Sequence, residues 1–148
     1  MNFDECSENI NHKSILIQDK KGKSKFYLEN KSQLMITKII VDGCLNITGK
    51  KCDYLITIDH PLIEIYIELK GRRVDEAIKQ IENTIQQVSK NKYTGTKFCY
   101  IVHTKCLLTT QEIQNYTKTF KKNYNATLRF KPSGFKEKIV DIIGKSRI

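Results

Sequence analysis

Between residues 63 and 103 the hydrophobic period changes twice, and this change limits the architectures open to the chain. Ile63, Ile65, Ile67 and Leu69 alternate with Glu64, Tyr66 and Glu68, which predicts a strand over residues 63–69. Over residues 74–89 the period lengthens to that of an α-helix, with Val74, Ala77, Ile78, Ile81, Ile85 and Val88 on one stripe. Residues 97–103, around Phe98-Cys99-Tyr100-Ile101-Val102, then predict a second buried strand. Two strands joined through a helix imply a parallel pair, because an antiparallel partner needs only a tight turn.

The remaining elements follow from turn signals. Ile15-Leu16-Ile17 and Phe26-Tyr27-Leu28 flank the polar turn Asp19-Lys20-Lys21-Gly22-Lys23, which predicts a hairpin over residues 14–29. Strands over 34–41 and 52–58 are linked by an Asp42-Gly43 bend, and Asp59-His60-Pro61 folds the second back onto residues 63–69. These short links imply an antiparallel meander. Thr109 with Glu112 is a capping box opening a helix edged by Ile113, Tyr116, Phe120 and Tyr124. A short strand over 126–130, Pro132 as turn punctuation and a helix over 135–143 stopped by Gly144 complete the reading. The predicted class is α/β, close to α+β: one domain over residues 1–148, with a mixed β-sheet flanked by helices. Residues 1–33 form an N-terminal hairpin extension, 34–130 the core and 131–148 a C-terminal helix.

Charge narrows the function. The 26 Lys and Arg against 16 Asp and Glu leave a net charge of +10, which points to a polyanion and to nucleic acid ahead of a membrane surface. No run approaches the roughly 18 apolar residues of a membrane span, and the N-terminus Met1-Asn2-Phe3-Asp4-Glu5 is acidic where a signal peptide is basic. A cytoplasmic protein is expected. The five cysteines (Cys6, Cys44, Cys52, Cys99 and Cys106) form no CxxC pair and read as reduced residues, three of them in apolar runs, without a disulfide or zinc role. His103 and Cys106 lack further partners for zinc.

The chemistry concentrates on residues 63–71. Alternation puts Glu64, Tyr66, Glu68 and Lys70 on one face of a strand that reads as central, where charge is costly unless paired or metal-bound. Folding back through His60-Pro61 brings Asp53, at the head of the preceding strand, close to Glu68. Two converging carboxylates make a hard-oxygen site suited to Mg²⁺ or Mn²⁺. Lys70 adds a cation to orient water or stabilise a phosphoryl transition state. The competing reading is a surface ion pair between Glu68 and Lys70, with about 0–1 kcal/mol of stabilisation.

Cys52-Asp53 and Glu68-Leu69-Lys70, in this order of elements, resemble the acidic motif and the (D/E)XK motif of the PD-(D/E)XK, or restriction-endonuclease-like, nuclease superfamily. The resemblance spans residues 34–130. It implies an αβββαβ core and Mg²⁺-dependent cleavage of DNA, less often RNA. Asp53, Glu68 and the Leu69 backbone carbonyl would hold the metal, with Lys70 as the catalytic lysine. Cys52 replaces the family's proline. Its leading helix is not evident, and Glu5, Glu8 and Glu29 stay open as sources of a further carboxylate. Gln80 on the following helix, with Thr84 and Gln87 on its flank, is either an auxiliary site residue or part of a solvated face. Tyr66 is an auxiliary candidate for substrate contact, with sheet packing as the alternative.

Arg72 and Arg73 after the motif, and Lys21 and Lys23 in the hairpin tip, are candidate phosphate-backbone contacts. Asp42 reads as turn chemistry that lies near the metal if its strand ends beside Asp53. Cutting both strands of a duplex would require a homodimer or a partner protein. The expected function is a metal-dependent DNA endonuclease. An RNA nuclease, or an inactive nucleic-acid-binding or assembly module on the same fold, are the alternatives.

Overall fold

A computed structural model describes residues 1–146 except Gly22, residues 70–72 and residues 106–107. The strands are β1 (Ser7–Ile10), β2 (Ser14–Gln18), β3 (Lys25–Glu29), β4 (Ile36–Ile40), β5 (Tyr54–Ile58), β6 (Ile63–Leu69), β7 (Thr96–His103), β8 (Ala126–Pro132) and β9 (Phe135–Lys138). The helices are α1 (Val74–Asn91), α2 (Thr110–Tyr124) and α3 (Ile139–Ser146), and a 3₁₀ turn covers Asp4–Cys6. Six strands form one sheet in the order β1-β4-β5-β6-β7-β8, and β2-β3-β9 form a second. The fold is thus mixed α/β, with a mixed sheet flanked by helices.

Strands β4, β5 and β6 make the predicted antiparallel meander, while β6–β7 and β7–β8 pair in parallel across α1 and α2. All seven residues of β6 are buried, because both faces of the sheet are covered. On one face Tyr66, Cys99 and Ile101 pack under Val74, Ala77, Ile78, Ile81, Ile85 and Val88 of α1. On the other, Ile63, Ile65, Ile67 and Leu69 pack against Ile17, Phe26 and Leu28 of the hairpin and Ile142 of α3. Each isoleucine buried this way contributes about 1.5–3 kcal/mol of transfer free energy.

Local signals explain the ends of the helices. Asp75 and Glu76 place negative charge in the first turn of α1, where the helix dipole favours it. The capping box at Thr109 forms as expected, with Glu112 N–H donating to Thr109 Oγ1 at 3.1 Å and Thr109 N–H to Glu112 Oε1 at 3.1 Å. Asn125, at φ 52°, ends α2 in the left-handed region. Gly95 before β7 allows a close backbone approach, since a Cβ there would lie 2.5 Å from the Leu62 carbonyl oxygen.

Four expectations are corrected. Residues 135–138 are a strand rather than the start of a helix. Phe26 pairs with Phe135 and Leu28 with Glu137 along the free edge of β3, so the segment takes a period of two and α3 begins at Ile139. The hairpin is no extension, because with β9 it forms a layer over the main sheet. Where the nuclease family has a leading helix, this chain has a 3₁₀ turn and then β1, an edge strand antiparallel to β4. Finally, Cys6 and Cys44 form a disulfide with Cα atoms 5.7 Å apart. Docking of the N-terminal turn against the loop after β4 brings the two together, while Cys52 and Cys99 are free and buried. Among the described residues no helix is long and apolar enough to cross a membrane.

Candidate functional site

The register of the central hairpin places the acidic pair. Tyr54 faces Ile67, the last pair of the β5–β6 ladder, and continuing the register by one residue sets Asp53 opposite Glu68. Side chains of residues directly opposite in an antiparallel pair share a face and lie roughly 5 Å apart at Cβ. The backbone supports this extension, since Asp53 N–H donates to the Ile67 carbonyl at 3.2 Å. The side chain adds a second tie: Asp53 Oδ2 accepts from Leu69 N–H at 2.8 Å. Asp53 is half-buried, whereas Glu68 is only 2% exposed.

Three neighbours show how acidic this end of the sheet is. Burial, then the Glu68 carboxylate, push the Cys52 thiol well above its ordinary range, with Asp53 and Cys99 adding to the effect against a Thr84 hydrogen bond. Burial, then Asp53 and Asp19, raise the Tyr54 phenol. Asp42, read as a turn residue, also belongs here: its N–H donates to the Asp53 carbonyl at 3.3 Å, beside Val41 N–H at 3.0 Å.

A cavity of about 340 Å³ opens beside Asp53, lined by Asp19, Lys20, Lys21, Ile40, Asp42 and Tyr54 as well. The tip of the β2–β3 hairpin forms one wall. Tyr54 Oη donates to the Gln18 carbonyl at 3.1 Å, which pins the hairpin to β5, and Asp19 Oδ1 accepts from Lys23 N–H at 2.8 Å, which closes the turn. The Lys20 ammonium lies 3.3 Å from where a Cβ on Gly43 would be, a position whose φ of +89° already favours glycine. Glu68 does not line this cavity. It stands on the covered sheet, two strands in from Asp42.

The other candidates divide. Lys70 and Arg72 lie outside the described residues. Lys21 lines the cavity, whereas Lys23 contributes its backbone to the turn. Arg73 is exposed and pairs with Glu76 at 3.3 Å, so it is engaged on its own helix. Tyr66 is no substrate contact: its ring is fully buried under α1 and its hydroxyl donates to Glu64 Oε1 at 2.7 Å. Glu5, Glu8 and Glu29 do not line the cavity; Asp19 and Asp42 do.

Gln80 has a clearer place than a solvated flank. Its Nε2 donates to the Lys51 carbonyl at 3.3 Å, while its Oε1 is buried without a hydrogen-bond partner. Thr84 Oγ1 accepts from Cys52 N–H at 2.9 Å, and Gln87 Oε1 accepts from Thr48 N–H at 3.1 Å. One flank of α1 therefore clamps the chain that delivers Asp53 to the sheet. Sequence reading missed Asp19 and Lys20 as cavity residues, because only the packing of the hairpin over β5 brings its tip there.

Among the described residues no three His, Cys, Asp or Glu side chains gather to hold a metal ion. The side-chain donors that the register sets opposite one another, the Asp53 and Glu68 carboxylates, are hard oxygen, a donor type that suits Mg²⁺ or Mn²⁺ rather than zinc. No protein-family model matches the chain, and neither does any curated protein or solved structure.

Proposed function

We propose that this protein is a divalent-metal-dependent nuclease hydrolysing phosphodiester bonds in DNA, with the active-site logic of the PD-(D/E)XK superfamily. The observation that carries the reading is the cross-strand pair: the register sets Asp53 opposite Glu68, and the Asp53 carboxylate reaches the backbone of Leu69. Two acids placed together at the end of a covered strand are costly to fold, which makes sense where they serve a bound cation.

In this reading Asp53, Glu68 and the Leu69 carbonyl hold Mg²⁺ or Mn²⁺. When bound, the ion polarises a phosphate oxygen and makes bound water more acidic. Lys70 follows the motif and orients the attacking water. Leu69 N–H fixes the Asp53 carboxylate, and the clamp from Gln80 and Thr84 fixes the strand that carries it. Lys20 and Lys21 bring positive charge to the cavity wall, where a phosphate backbone would approach. One copy carries one such site, so cleavage of both duplex strands would require a second copy or a partner.

The test is cleavage of single-stranded DNA, duplex DNA and RNA in EDTA, Mg²⁺ or Mn²⁺. Asp53→Asn, which keeps the acceptor for Leu69 N–H, and Lys70→Ala should each lower the metal-dependent rate by about 10²–10³-fold. Wild-type rates in both variants would end the site assignment. Failure of the wild-type protein to cut any of these substrates would end the nuclease reading. Preferential cutting of RNA would replace the substrate.

A further inference from the structure

The second sheet turns a different face to solvent, away from the core. Across its three strands Leu16 pairs with Tyr27 and Tyr27 with Lys136. Leu16 is 41% exposed, and the Lys136 ammonium lies 5.9 Å from the Tyr27 ring centroid. Around this row a concavity of about 580 Å³ is lined by Lys13, Ser14, Tyr27, Glu29, Lys31 and Lys136 among others. Three lysines thus line the concavity that holds Tyr27, with Glu29 as the sole carboxylate among the described lining residues. Among the described residues none of these lysines forms an ion pair, and the Tyr27 hydroxyl has no hydrogen-bond partner.

We propose that this outer face of the β2-β3-β9 sheet binds single-stranded DNA, with a base stacked at Tyr27 and phosphates held by Lys13, Lys31 and Lys136. The proposal deepens the nuclease reading by naming its substrate form, and it rests on that reading for its purpose. The occupant follows from complementarity. A positive groove with an aromatic platform is the arrangement that holds an unpaired strand, because every base presents a π-face. A duplex hides those faces and would leave the ring without a role. The sugar contributes nothing to stacking or to ammonium–phosphate contact, so DNA suffices. The same hairpin, roughly 13 Å further along its strands, carries Lys20 and Lys21 to the cavity beside Asp53. A strand seated on the outer face is thereby led toward the acidic pair.

The experiment is fluorescence anisotropy in EDTA, where no cleavage occurs, with labelled oligothymidylate, a duplex of equal length and oligouridylate. The single-stranded DNA should bind more tightly than the duplex and no less tightly than oligouridylate. Tyr27→Ala should weaken it about five- to hundredfold, while Tyr27→Phe, which keeps the ring, should not. Lys136→Gln should reduce the salt slope by about 0.7, and this exposed position keeps the test open if Tyr27→Ala fails to fold. Unchanged binding by Tyr27→Ala or an unchanged slope in Lys136→Gln would overturn the proposal. So would tighter binding of the duplex or of oligouridylate. Binding that follows Tyr27 without any cleavage would remove the nuclease reading alone, and Asp53-dependent cleavage without Tyr27-dependent binding would remove this inference alone.

Discussion

Glu64 and Glu68 stand on the same face of β6, and both are almost fully withdrawn from solvent. Their surroundings differ in kind. Glu64 is enclosed by donors: Tyr66 Oη at 2.7 Å, the Gly95 N–H and the Lys97 ammonium at 3.4 Å. Glu68 faces another acid, Asp53, across the ladder, with the buried Cys52 thiol nearby. The first arrangement neutralises a charge within the fold. The second places two carboxylates on opposite strands at one end of the sheet, beside the cavity that Asp53 lines. The comparison teaches that burial of an acid on a covered strand does not by itself mark a site: what sets Glu68 apart from Glu64 is the second carboxylate that the register places opposite it.

The largest expected effect tests the structural end. Glu64→Gln leaves the Lys97 ammonium buried without its carboxylate and should cost about 3–5 kcal/mol, read from urea unfolding. A loss below about 1 kcal/mol would mean that the pair behaves as a surface one and that the contrast is not real. The matched change at the other end, Glu68→Gln, removes a like charge from opposite Asp53 and should shift the unfolding midpoint less. On the nuclease reading it should instead reduce Mg²⁺-dependent cleavage about 10²–10³-fold. Equal destabilisation by both substitutions would make the two glutamates alike.

The smallest effect sharpens the same end of the sheet. His103 closes β7, one residue past the partner of Leu69, and burial lowers its pKa from 6.5. The folded state then binds its proton less readily than the unfolded chain. Its contribution is fully present above about 6.5 and is lost as pH falls from there toward the lowered folded value. The urea midpoint should therefore drop between pH 7 and pH 5.5, and His103→Asn should make that drop shallower. An identical pH dependence in the variant would show that other groups set it.

Much of the frame was legible because it depends on local period. The alternation of residues 63–69, the stripe on α1 and the capping box at Thr109 each state their structure within one element. The short links, likewise, dictated an antiparallel meander. What stayed hidden were elements whose conformation is decided by a distant partner. Ser7–Ile10 carries little apolar patterning and becomes a strand by pairing its backbone with β4. Residues 135–138 carry a helix-compatible pattern, yet the open edge of β3 recruits them. Cys6 and Cys44 meet only because the N-terminal turn packs beside the loop after β4. Tyr66 shares the face of Glu68, as alternation requires, but its hydroxyl turns to Glu64, a choice made by side-chain packing.

For the candidate site the division is similar. The chain by itself determined that Asp53 and Glu68 lie together at the open ends of neighbouring strands, away from the turn, since a hairpin link through His60-Pro61 leaves few other registers. Tertiary structure alone decided what surrounds them: Asp42 beside Asp53, the Gln80–Thr84 clamp, and a basic hairpin tip walling the cavity. The physical reason is range. Backbone periodicity and turn length act between near neighbours in sequence, whereas a cavity is formed by side chains that only the packing of separate layers brings together.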